Sequence, residues 1–152
     1  MGTSSTMGAV LLAGGLWTSS GVALASTGVE RVEQAIEGFV TDFNAKDVEA
    51  LRARYAPDAV LKLPGAPAVG GRDAVAAAWA GGFDNGLDAL VLDVTSFDEA
   101  GKERFLESGT YELTIQTPDG PIVQTGTYAV LWAVPRSPKK APTIMFDTID
   151  AN

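Results

Sequence analysis

The sequence predicts an α+β fold, a curved and mostly antiparallel sheet packed as a cone over a long N-terminal helix and two shorter helices. Three observations predict it. Residues 105–134 read as two long strands around Thr117-Pro118-Asp119-Gly120, where Pro presets φ and Gly accepts the positive φ that closes a hairpin. Val29, Val32, Ile36, Phe39, Val40 and Phe43 recur at helical spacing and form one apolar stripe. The periodic segments run helix, helix, strand, helix, then strands in hairpin succession, an order that segregates helices to one face of an antiparallel sheet.

Taken in order, residues 1–28 carry no charged side chain. Residues 7–17 are apolar around Gly14 and Gly15, and Ala23-Leu24-Ala25 reads as a small-x-small cleavage site before Ser26. The basic start of a secretory signal is missing, so two readings stand. The stretch is a signal peptide of a periplasmic or secreted protein, or a disordered leader of a cytoplasmic one. Gly, Ser and Thr dilute it, so no stable membrane span is expected. Residues 29–152 are expected to form a single domain.

Thr27-Gly28-Val29-Glu30 matches a capping box and opens the first helix, which runs to about Asn44. Asp47 caps a second helix with Val48, Leu51 and Tyr55 on its inner face, ended by Pro57. A strand over 58–63 is broken by Pro64-Gly65-Ala66-Pro67. The third helix covers 72–80 with Val75, Ala78 and Trp79 inward, and Gly81-Gly82 terminates it. Strands follow over 87–97, on both sides of the 117–120 turn, and over 143–149.

In the first hairpin strand Glu107, Gly109, Tyr111, Leu113 and Ile115 share the apolar face, with Ser108, Thr110, Glu112, Thr114 and Gln116 opposite. In the second, Tyr128, Val130 and Trp132 alternate with Ala129, Leu131 and Ala133, so both faces are apolar. Such a strand belongs inside a sheet covered on each side, by helices on one and by a partner or further chain on the other.

A chain of 152 residues with net charge −8 fits one core and an acidic surface that repels nucleic acid. The basic cluster Arg136, Lys139 and Lys140 reads as a solvated loop. With no Cys and no His, thiol nucleophiles, imidazole triads and the usual zinc ligands are excluded. Acid–base chemistry would fall to carboxylates, Tyr or Lys. Asp84, Asn85 and Asp88 around Gly86 do not match a calcium loop. No metal and no cofactor is expected.

Several motifs in succession carry a family resemblance. They are Phe43-Asn44-Ala45-Lys46-Asp47, Tyr55-Ala56-Pro57-Asp58-Ala59-Val60, Gly70-Gly71-Arg72-Asp73-Ala74-Val75 with Trp79, Gly109-Thr110-Tyr111, Asp119-Gly120, Gly126-Thr127-Tyr128 and Phe146-Asp147-Thr148. In their order and spacing residues 29–150 resemble the nuclear-transport-factor-2-like superfamily, which includes ketosteroid isomerases, SnoaL-type polyketide cyclases and scytalone dehydratase. The resemblance implies a cone with a pocket and a homodimer through the outer sheet face. It does not carry the isomerase chemistry over. The isomerase base position, before the Pro, holds Leu63, and the oxyanion-holding Tyr position on the first helix holds Phe39. The cyclase branch uses pocket His, which this chain lacks.

Glu107 and Asp147 are the candidate catalytic groups, and as a converging pair they would form an acid–base couple. Their plainer readings are a solvated strand end for Glu107 and a backbone-bonded or edge position for Asp147. Tyr55, Leu63, Trp79, Tyr111 and Tyr128 are the candidate ligand-binding residues, and Asp58 a turn cap. Three functions follow. One is a module binding a small, largely apolar molecule; another is an isomerase, lyase or cyclase-type enzyme using Glu107 and Asp147; the third is a dimerising module whose cone is plugged.

Overall fold

The computed structural model describes residues 28–152. The leader expectation and Thr27 of the capping box lie outside them. The elements are α1 (residues 28–44), α2 (Val48–Ala53), β1 (Tyr55–Lys62), β2 (Val69–Gly70), α3 (Arg72–Asp84), β3 (Leu87–Glu99), β4 (Arg104–Thr117), β5 (Gly120–Ala133) and β6 (Thr143–Ala151). The six strands form one curved, open sheet in the order β2-β1-β6-β5-β4-β3, with every pairing antiparallel except β1 with β6. No described helix is long and apolar enough to cross a membrane.

The apolar stripe of α1 is the core of the cone. Val32, Ile36, Phe39 and Phe43 are buried, and Phe39 packs edge-on against Tyr55 and Trp79. Two polar clasps set the helix on the sheet. Leu90 N donates to Asn44 Oδ1 (2.8 Å) and Asn44 Nδ2 donates to Leu90 O (3.3 Å), so the side chain pairs with β3 as a strand would. Arg54 Nε donates to Asp42 Oδ2 (2.6 Å) while its guanidinium lies over Gly38, where any Cβ would collide with it.

Three boundaries differ from the sequence expectation. Helix α2 stops at Ala53, so Tyr55 and Pro57 belong to β1 rather than to the second helix. Pro57 lies within the register shift between Tyr55 and Val60, an irregular stretch that tolerates its missing N–H. Asp58 is likewise an exposed strand residue, not a turn cap. Helix α3 runs through Gly81 and Gly82 to Asp84 and ends at Gly86, whose φ of 108° is the left-handed turn that stops it. At Gly82 a Cβ would strike Leu87, so its smallness serves the packing of β3 rather than helix termination.

The hairpin forms as expected, with Thr117 opposite Gly120. Register then aligns rows across the sheet. On the outer face Leu106, Leu131, Phe146 and Val60 sit side by side across β4, β5, β6 and β1, with Leu106 and Phe146 exposed. On the inner face the corresponding row is Glu107, Val130, Asp147 and Leu61.

Candidate functional site

Between α1, α3 and the concave face of the sheet lies a cavity of about 370 Å³. The cone is therefore not filled by its own side chains. Its wall takes Ile36, Phe39 and Phe43 from α1, Trp79 from α3, and Leu63 with Pro64 from the loop after β1. The strands add Leu90, Leu92, Tyr111, Leu113, Tyr128, Val130, Trp132 and Ile144. Asn85 and Gln124 are further polar members, and Glu107 and Asp147 are the ionisable carboxyl groups on it.

Two glycines shape this wall. Tyr128 lies over Gly109 directly across the β4–β5 pair, and Tyr111 lies over Gly126. A Cβ at either glycine would run into the ring and into a backbone carbonyl of the strand behind, Asp93 or Asp150. The absent side chains let the phenol rings lie flat along the sheet and leave the space beneath α1 open.

Glu107 is 1% exposed, which corrects the solvated strand-end reading. The curve of the sheet carries its row under the helices instead of out to water. Tyr128 Oη donates to Glu107 Oε2 (2.5 Å) and Trp132 Nε1 donates to Oε1 (2.8 Å), so both oxygens are held. Burial raises its pKa, and the two donors act against that rise.

Asp147 is 4% exposed and faces the same cavity, so its edge-position reading is also corrected. Tyr55 Oη donates to Asp147 Oδ2 (2.8 Å), and Trp79 Nε1 donates to that same phenol (3.0 Å). Oδ1 has no hydrogen-bond partner among the described residues. Burial foremost, and then the charge of Glu107, push the Asp147 pKa up to about 7, against the Tyr55 hydrogen bond. Burial and the two carboxyls likewise raise the pKa values of Tyr55 and Tyr128, which stay neutral donors.

The two acids thus share a cavity but not a hydrogen bond. Val130 stands between them in the row, and two strand spacings separate their backbones by roughly 10 Å. Glu107 is held by Tyr128 and Trp132, whereas Asp147 is held by Tyr55 alone, whose hydroxyl in turn accepts from Trp79. Of the other candidates, Leu63, Trp79, Tyr111 and Tyr128 line the cavity. Tyr55 does not; it is fully buried behind Asp147 and positions it. Tyr111 keeps a buried hydroxyl with no partner among the described residues. Trp132 joins the site as a residue outside the sequence-based candidates, and its parity with Tyr128 and Val130 marks it as inward. Among the described residues no cluster of acidic side chains could hold a metal ion.

An open sheet coned over a long helix around an apolar cavity defines a class, and the chain belongs to its SnoaL-like domain family, whose profile matches residues 36–139. Solved structures of the nuclear-transport-factor-2-like superfamily share the fold. A candidate dehydratase of that family from Streptomyces avermitilis superposes with a TM-score of 0.70 at 17% identity, over 84% of this chain and 97% of its own. A ketosteroid isomerase-like protein from Erwinia carotovora gives 0.67 at 20% identity, over 78% and 92%. A candidate scytalone dehydratase from Novosphingobium aromaticivorans gives 0.72 at 10% identity, over 86% and 88%. At these identities the likeness is one of fold, not of chemistry. No curated protein matches the sequence.

Proposed function

We propose that the protein binds a small, largely apolar molecule in the cone. The supporting observation is the cavity of about 370 Å³, apolar on most of its wall, with buried polar groups confined to a few positions that would orient a ligand. Leu63 at the isomerase base position supports binding without that chemistry. Native mass spectrometry of the protein purified from its own cells tests the reading. The expected result is a mass increment that disappears on denaturation; bare protein that also takes up no apolar compound overturns it.

Acid–base catalysis centred on Asp147 is the second reading, favoured by one specific observation. Asp147 has an oxygen without a partner among the described residues and a pKa of about 7, suited to proton transfer near neutrality, whereas both Glu107 oxygens are occupied. If turnover of a bound compound is found, Asp147→Asn should abolish it, and unchanged turnover removes this reading. A second copy is proposed to cover the outer row of Leu106, Leu131 and Phe146. Sedimentation would give a dimer that Leu131→Arg dissociates, and a monomeric wild type contradicts it.

A further inference from the structure

Among the described residues the cavity is lined by two carboxyl groups and by no Arg or Lys. Building on the pocket-binding reading, we propose that its occupant is an apolar amine held as the ammonium ion. The nitrogen sits over Val130, between Glu107 and Asp147, and the hydrocarbon body fills the rest of the cone.

The first support is a missing counter-charge. Glu107 accepts on both oxygens from neutral donors, the Tyr128 hydroxyl and the Trp132 N–H, so neither partner supplies a counter-charge. A buried charge is retained when it is paired, and among the described residues nothing positive lines this cavity. Neighbouring cations are engaged elsewhere: Arg54 holds Asp42, and Arg72 donates to the Tyr55 carbonyl. The raised pKa of Asp147 is a second sign of the same deficit, since part of it comes from the uncompensated charge of Glu107.

The second support is unused hydrogen-bonding capacity. Asp147 Oδ1 lacks a partner among the described residues, and it belongs to a side chain nine-tenths buried on the cavity wall. An ammonium supplies the N–H donors that such a carboxyl oxygen accepts. The third support is aromatic. Phe39, Trp79, Tyr128 and Trp132 line the same space, and ring faces attract a desolvated cation. An anionic occupant would add a third negative charge, and a neutral one would leave Glu107 uncompensated.

The groups facing Asp147 are Tyr55 from β1, Glu107 from β4, Tyr128 from β5 and Trp79 from α3, while α1 adds only Ile36, Phe39 and Phe43 to the wall. None of these opposes a cation.

Calorimetry of the full chain with adamantylmethylamine, adamantylmethanol and adamantanecarboxylate tests the proposal, because the three share one skeleton. At about pH 8, above the Asp147 pKa, the amine should bind at least about tenfold tighter than the alcohol, with the carboxylate weakest. Asp147→Asn should narrow the amine–alcohol ratio about tenfold. Glu107→Gln, which keeps a partner for both Tyr128 and Trp132, should narrow it as well. An alcohol that binds as tightly as the amine, or an amine preference untouched in both variants, overturns the proposal while leaving pocket binding intact. If neither amine nor alcohol binds, pocket binding falls with it.

Discussion

Tyr55 and Asp147, ninety-two residues apart, share a buried hydrogen bond of 2.8 Å in which the phenol donates, and Trp79 donates to the same phenol oxygen. One hydroxyl therefore links β1, β6 and α3. Tyr55→Phe strands two polar groups at once, the Asp147 oxygen and the Trp79 N–H. The expected cost is on the order of 3 kcal/mol, read by urea denaturation. The Asp147 pKa should rise further, because the hydrogen bond that lowers it is gone.

Stability should depend on pH in a direction opposite to that of a salt-bridged acid. Asp147 has an ordinary pKa near 4 when unfolded and about 7 when folded, so the folded state binds the extra proton between those values. Unfolding free energy should then fall by about 4 kcal/mol as pH rises through that window. The raised pKa of Glu107 adds the same sign. Asp147→Asn should flatten the profile and stabilise the protein at neutral pH, as measured by denaturation between pH values of about 4 and 8.

Glu107 tests whether the Tyr128–Trp132 clamp is structural. In Glu107→Gln the amide oxygen can accept from Trp132 and the amide N–H₂ can donate to Tyr128, so stability at neutral pH should be equal or higher. Glu107→Leu leaves both aromatic donors unpaired and should cost on the order of 3 kcal/mol in the same assay.

Gly126→Ala should narrow the cavity from its wall. The new methyl would meet both the Asp150 carbonyl and the Tyr111 ring, and only the ring can move. A loss of about 1–3 kcal/mol is expected, with a changed aromatic near-ultraviolet circular dichroism spectrum.

Much of the Glu107 site was legible in the sequence. The Pro118-Asp119 turn pairs Thr117 with Gly120, and that register alone sets Glu107 opposite Val130 with Tyr128 and Trp132 as its diagonal neighbours. Period two gave the inward face of β4, and the α1 stripe gave the floor of the cone. The surroundings of Asp147 were not legible. They depend on the register shift between Leu131 and Trp132 and on a parallel pairing with β1, neither of which leaves a local signal. Leu51 and Tyr55 keep helical spacing across the α2–β1 junction, so periodicity alone places Tyr55 on the helix rather than on the strand. The burial of Glu107 escaped the reading because sheet curvature, not alternation, decides how far a strand end is covered.

The cone encloses an open apolar cavity beneath α1, and titration with the neutral fluorophore N-phenylnaphthylamine probes it directly. Wild-type protein should bind one equivalent with a blue-shifted, enhanced emission. Leu113→Trp, which fills the cavity from its wall, should lose that binding while keeping its cooperative thermal transition. No saturable binding by the wild type, or equal binding by Leu113→Trp, would contradict the account.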